Sequence, residues 1–132
     1  MRKILTVGVF DYFHYGHLRL FQRAKEYGDY LIVAVQDGNS ILKYKPDAVV
    51  CYTTQQRLDM VSALRVVDEV CTYEDVDRTV RELDFDVFVV GGDQKHAGFM
   101  RAIQWCRQQG IGVVCLERTP GISSSAIKQQ LL

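Results

Sequence analysis

The chain has 132 residues, 48% of them hydrophobic, and carries 16 Lys plus Arg against 16 Asp plus Glu. That length suits a single domain, 1–132, with a core that needs no disulfide or metal staple, and zero formal net charge leaves no basic stripe for nucleic acid or an anionic membrane. The four cysteines, Cys51, Cys71, Cys106 and Cys115, form no C-x-x-C pair and read as inert thiols of a reducing, cytoplasmic compartment; no apolar run is long enough for a leader or a membrane span.

Short runs rich in β-branched residues alternate with helical patterns, which predicts an α/β chain with an open parallel sheet of about five strands and helices on both faces. The strands fall at Ile4–Val9, Tyr30–Val35, Glu69–Thr72, Val87–Val90 and Gly112–Leu116. A first helix runs from about His17 to Tyr27, with Leu20, Phe21, Ala24 and Tyr27 at helical spacing and Gly28 ending it in a left-handed conformation. Thr53 and Gln56 stand in capping-box register before a second helix that buries Leu58, Val61 and Leu64. Val76, Val80 and Leu83 mark a third helix, and Met100, Ile103 and Cys106 or Arg107 a fourth, closed by Gly110. A last short helix spans Ser124 to Leu131. The one long irregular stretch is Gln36 to Tyr52, and loops of that length are usually functional or mobile.

Between the first strand and first helix lies Gly8-Val9-Phe10-Asp11-Tyr12-Phe13-His14-Tyr15-Gly16-His17, which holds two of the three histidines. Two imidazoles at the mouth of a helix can converge on one anion. Glycine admits a close backbone approach, and the helix N-terminus favours phosphate. A turn-capping role and a shared zinc are the competing readings; no Cys or carboxylate accompanies the pair at the spacing of a structural zinc site.

A second constellation follows the last strand: Arg118-Thr119-Pro120-Gly121-Ile122-Ser123-Ser124-Ser125. An arginine, a glycine and three hydroxyls at a helix start supply the charge and donors that a triphosphate needs, although serines there also serve as plain N-caps. In an open parallel sheet, ligands bind beyond the carboxyl ends of the strands. His14, the Asp37 loop, the Gly91-Gly92-Asp93 turn and Arg118 all follow strands and are expected on that one edge.

The His-x-Gly-His spacing with Phe10-Asp11 resembles the signature of the nucleotidylyltransferase superfamily. Arg118 to Ser125 and Arg65-Val66-Val67-Asp68-Glu69-Val70 resemble signatures of its cytidylyltransferases, and the likeness extends over nearly the whole chain. What the resemblance implies is a small homodimeric, Rossmann-like transferase that uses Mg2+ and CTP to place CMP on a small phosphorylated acceptor, glycerol 3-phosphate first among them, releasing diphosphate. His14, His17, Lys43, Lys45 and Arg118 are then the catalytic set. Nucleotide contacts fall to Val9, Phe10, Asp11 and Gly16 in the first motif, to Arg65, Asp68, Gly91 and Asp93 in the middle, and to Thr119, Gly121, Ile122, Ser123, Ser124 and Ser125 at the end.

Asp37, Lys43 and Arg57 are the expected acceptor contacts, with Arg57 and Arg65 two turns apart on one helix face. His96 is read as non-catalytic, with an acceptor contact left open. No protein ligand set for the metal is read, since magnesium prefers few carboxylates plus phosphate oxygens. The chain departs from the family pattern at Val9, where a threonine is usual, at Pro120, where an acidic residue is usual, and around Pro46 to Val50, where an insertion is needed. Competing readings are another acceptor, such as phosphoethanolamine or phosphocholine, an adenylyltransferase using ATP, and a nucleotide sensor without turnover.

Overall fold

The computed structural model describes residues 1–92, 94 and 96–117. Five strands, β1 (Lys3–Gly8), β2 (Tyr30–Gln36), β3 (Glu69–Tyr73), β4 (Val87–Gly91) and β5 (Gly112–Leu116), form one parallel sheet in the order β3-β2-β1-β4-β5. The central strands are apolar on both faces, as a parallel sheet covered on both sides requires, while β3 and β5 at the edges are partly exposed.

Side-chain alternation splits the core in two. Leu5, Val7, Ile32, Ala34, Phe88 and Val90 pack against α4 (Val76–Glu82) and α5 (Ala97–Gln108) through Val76, Val80, Phe99, Ala102 and Cys106. Ile4, Leu31, Val33, Val35, Val87 and Val89 face α1 (Tyr15–Lys25) and α3 (Thr54–Ser62) through Phe21, Ala24 and Val61. Among the described residues no helix is long and apolar enough to cross a membrane.

Thr6 breaks the apolar run of β1: it is fully buried and its hydroxyl has no hydrogen-bond partner among the described residues. Thr6→Val keeps the shape and removes the stranded hydroxyl, so it is expected to stabilise the fold by about 1 kcal/mol, read as a higher midpoint of thermal unfolding.

Several sequence expectations shift. The stretch from Gln36 to Tyr52 contains α2 (Gly38–Tyr44), started by the Asp37 carboxylate, which accepts from Asn39 N at 3.0 Å. Only Ser40 and Ile41 of α2 are buried, so no periodicity announces it. Gly28 is not in the left-handed region; it is a point of close approach, where a Cβ would meet Arg2 O at 2.7 Å. Gly110, at φ 76°, is the glycine that ends its helix as expected. In α5 Cys106 is inward as expected, but the other inward residues are Phe99 and Ala102, each one position before the expected Met100 and Ile103; Met100 is 53% exposed. Helix α3 has the expected Thr53–Gln56 capping box, but it buries Arg57 and Val61 and stops at Ser62, so Arg65 is not on it. The helix expected from Ser124 lies outside the described residues.

Candidate active site

Strand order reverses beside β1, since β2 follows β1 on one side and β4 pairs with it on the other. A crevice at the carboxyl ends of β1 and β4 is the ligand-binding place of such a sheet. The histidine turn rises from β1 at this point.

Both histidines belong to the start of α1. His14 is the N-cap: its Nδ1 accepts from Gly16 N at 3.0 Å, and its own N–H donates to His17 Nδ1 at 3.3 Å, so the pair forms a reciprocal capping box. The rings stack with centroids 3.8 Å apart and 22° between planes. Because each Nδ1 accepts a backbone N–H, the neutral rings carry their proton on Nε2. Two N–H donors therefore stand side by side at a helix N-terminus, an arrangement suited to phosphate oxygens. Gly16 N–H is spent on His14, so Gly16 contributes to the histidine geometry.

The turn is held under strain. Phe10 and Tyr12 sit at φ 55° and 50°, a region costly for residues with a Cβ. The Phe10 ring is buried edge-on to His17 at 5.3 Å and Phe21 at 5.1 Å, and it folds back over Gly8, where a Cβ would lie 2.7 Å from Phe10 Cζ. The Asp11 oxygens accept Cys51 N at 2.7 Å and Tyr52 N at 3.0 Å, tying the turn to the segment before α3. A hydrogen bond with the Cys51 side chain holds the Tyr12 phenol above its ordinary range.

Arg57 has no exposed surface. Its Nη1 donates to Val9 O at 2.9 Å and Gln36 O at 2.7 Å, its Nε to Tyr52 O at 3.2 Å, and its Nη2 to Thr54 Oγ1 at 3.2 Å. Thr54 Oγ1 also accepts Gly38 N at 2.9 Å. One guanidinium thus knots the histidine turn, the end of β2, the start of α2 and the entry to α3. Burial lowers its pKa, while Asp11 and Asp37 oppose that by charge. Arg57, expected as an acceptor contact, is instead fully buried, and its hydrogen bonds set the histidine turn against the start of α2 and the entry to α3. A signal was present, because Arg57 stands four residues before Val61 on the helix face that turns inward.

The structure brings some expected residues to this edge and removes others. Asp37 is there as the N-cap of α2. Lys43, in the last turn of α2, lies 5.5 Å from the Tyr44 ring centroid, and Lys45 caps the helix; both are exposed. Val9 follows β1 and offers its carbonyl to Arg57, and Gly91 ends β4. His96 is the N-cap of α5, with Nδ1 accepting Gly98 N at 3.1 Å; burial first, then the Lys45 and Arg101 charges, lowers its pKa.

Asp68 is corrected. It precedes β3 at the amino-terminal edge of the sheet, where its carboxylate pairs with Lys25 Nζ and accepts Leu31 N at 2.8 Å. Arg65 lies on the same far edge, between the end of α3 and β3, so neither meets His14 within the chain. Asp93, Arg118, Thr119, Gly121, Ile122, Ser123, Ser124 and Ser125 lie outside the described residues.

A reversed parallel sheet with paired Nε2–H donors at a helix mouth has the frame of a nucleotidyltransferase. The chain belongs to the cytidylyltransferase-like family, which it matches over residues 5–130. It is 38% identical to a glycerol-3-phosphate cytidylyltransferase of Staphylococcus aureus, over 99% of this chain and 96% of that protein. It is 41% identical to an FAD synthase of Methanohalophilus mahii, over 71% of this chain and 66% of that one. A lipopolysaccharide core biosynthesis protein from Thermoplasma volcanium shares the fold at TM-score 0.72 and 27% identity, covering 90% of this chain and 97% of its own.

Proposed function

We propose that the protein transfers CMP from CTP to glycerol 3-phosphate, forming a CDP-linked glycerol and diphosphate. The stacked His14–His17 pair, with both Nδ1 atoms engaged and Nε2–H as donor, is the observation that carries this reading. An oxygen of the acceptor phosphate attacks the α-phosphorus, the new P–O bond forms as the bond to the β-phosphate oxygen breaks, and diphosphate leaves with the electron pair. The acceptor phosphate is already ionised near neutral pH, so no side chain need act as nucleophile or base; alignment and charge stabilisation supply the catalysis.

His14 and His17 donate to the α-phosphate and to the bridging oxygen as charge builds there. Lys43 and Lys45 neutralise the acceptor phosphate from α2, while Arg118 and Ser123 to Ser125 hold the β- and γ-phosphates. Asp11 serves by fixing the turn, and Asp37 by starting α2. Mg2+ bound with the triphosphate would neutralise part of its charge, leaving the histidines and lysines to orient the reacting groups. A cytoplasmic homodimer, as in the family the sequence resembles, completes this reading.

The likeness to an FAD synthase supports a second reading, adenylyl transfer from ATP to a flavin phosphate. The two separate in one experiment: diphosphate release with Mg2+ and each of CTP, ATP, GTP and UTP, against glycerol 3-phosphate, phosphoethanolamine, phosphocholine and flavin mononucleotide. Release confined to CTP with glycerol 3-phosphate is expected; release from ATP with the flavin moves the assignment to the second reading. For the lysines, Lys43→Ala and Lys45→Ala are each expected to raise KM for the acceptor roughly tenfold with CTP affinity little changed, as steady-state kinetics will read; the loss of a single phosphate contact is of that order.

A further inference from the structure

The β1–β4 ladder stops early. Its register pairs Ile4 with Val87 and Leu5 with Phe88 and goes no further, although β1 continues to Gly8 and β4 to Gly91. Fraying does not explain this, because on their other sides β1 stays paired to β2 up to Gly8 and β4 to β5 up to Gly91. Carried forward, the register sets Val7 opposite Val90, and the slanted bonds of parallel pairing then make Gly91 N–H to Val7 C=O one of the rungs of the continued ladder. That donor and that acceptor are both satisfied, but through an inserted group. Gln94 Oε1 accepts from Gly91 N at 2.9 Å, and Gln94 Nε2 donates to Val7 O at 2.8 Å. The backbone of Gln94 is itself fixed, its N–H donating to Gly91 O at 3.1 Å.

We propose that Gln94 is a positioning residue for the nucleotide, a carboxamide wedge that holds β1 and β4 apart at the foot of the histidine turn. A direct rung would draw the strand ends to ordinary ladder spacing, about 4.8 Å. The inserted amide widens the gap by its own breadth where a nucleoside triphosphate has to enter. One wall is Gly8 and the turn to His14, immediately after Val7; the other is the Gly91-Gly92 turn, anchored outward by Gly92 N to Leu116 O at 2.7 Å. The amide suits this place because it is donor at one end and acceptor at the other. A carboxylate offers no donor to Val7 O, and a hydrocarbon offers neither.

The inference rests on the proposed reading that CTP occupies this crevice. Its test compares wild type with Gln94→Met, which keeps bulk and loses both bonds, and Gln94→Glu, which keeps the acceptor and sets a carboxylate against the Val7 carbonyl. KM for CTP and for glycerol 3-phosphate, CTP binding by calorimetry and the thermal midpoint are measured on each. Both variants are expected to weaken CTP tenfold or more, with KM for the acceptor within twofold and the Gly91 amide exchanging faster. CTP affinity within twofold of wild type in both variants overturns the proposal, as does a parallel rise of both KM values that tracks a fall in midpoint. Wild-type protein that fails to bind CTP would instead sink the CTP reading, with the same comparison then made by calorimetry on the nucleotide it does bind.

Discussion

His14→Asn is expected to fold with near-normal stability and to lose about 3–4 kcal/mol of transition-state stabilisation, a drop in turnover of some hundreds-fold. Asparagine is chosen because His14 has two jobs. As N-cap it accepts Gly16 N at 3.0 Å, and asparagine is among the best residues for that work, whereas alanine would cost about 1 kcal/mol of stability. Asparagine does not place a donor where the imidazole Nε2–H stands. The same logic makes His17→Gln the matched variant, since glutamine at the third helical position can still reach back to the N-cap N–H. Steady-state kinetics with denaturant unfolding separates the two jobs: a low kcat at an unchanged midpoint supports a role in the chemistry, and wild-type kcat in either variant refutes it.

The largest effect on folding is expected at Arg57. Arg57→Met leaves the carbonyls of Val9, Gln36 and Tyr52 without the donor they share. Buried acceptors stripped of partners cost roughly 1–3 kcal/mol each, so a loss of about 3 kcal/mol or more is expected even after relaxation. Lysine should not rescue it, because a single ammonium on a flexible stem cannot reproduce a rigid fork that reaches three carbonyls in different directions. Urea unfolding reads the loss directly. Any Arg57 variant that folds should also show weakened turnover, since the knot it makes sets the histidine turn against α2 and α3. A midpoint unchanged in Arg57→Met would mean that the loops hold one another without it.

The sheet was legible in the sequence because central parallel strands are buried on both faces and read as apolar runs; all five were placed to within about a residue or two at their ends. The histidine turn was legible because His-x-Gly-His at a strand-to-helix junction carries its own chemistry. Helix α2 was not, since about two turns with two buried residues leave no periodic trace, and its start depends on the Asp37 carboxylate. Arg57 and Asp68 were legible as chemistry but not in their placement, and Asp11 was legible without the backbone groups it ties together. A charged residue looks the same in sequence whether it faces a ligand or caps backbone groups, and only the fold shows Asp11 spent on Cys51 and Tyr52 N–H and Asp68 on the opposite edge. Gln94 had no signal at all, for its role exists only where two strands that are far apart in sequence stop pairing.

The central claim is that the histidine pair drives cytidylyl transfer to a phosphate acceptor. The most direct measurement follows Mg2+, CTP and glycerol 3-phosphate by phosphorus NMR, with wild-type protein and with folded His14→Asn. A diphosphate diester appearing one for one with free diphosphate in the wild type, and hundreds-fold more slowly in the variant, is the predicted result. A variant that turns over as fast as wild type, or a wild type that binds CTP and forms no diester, would contradict it.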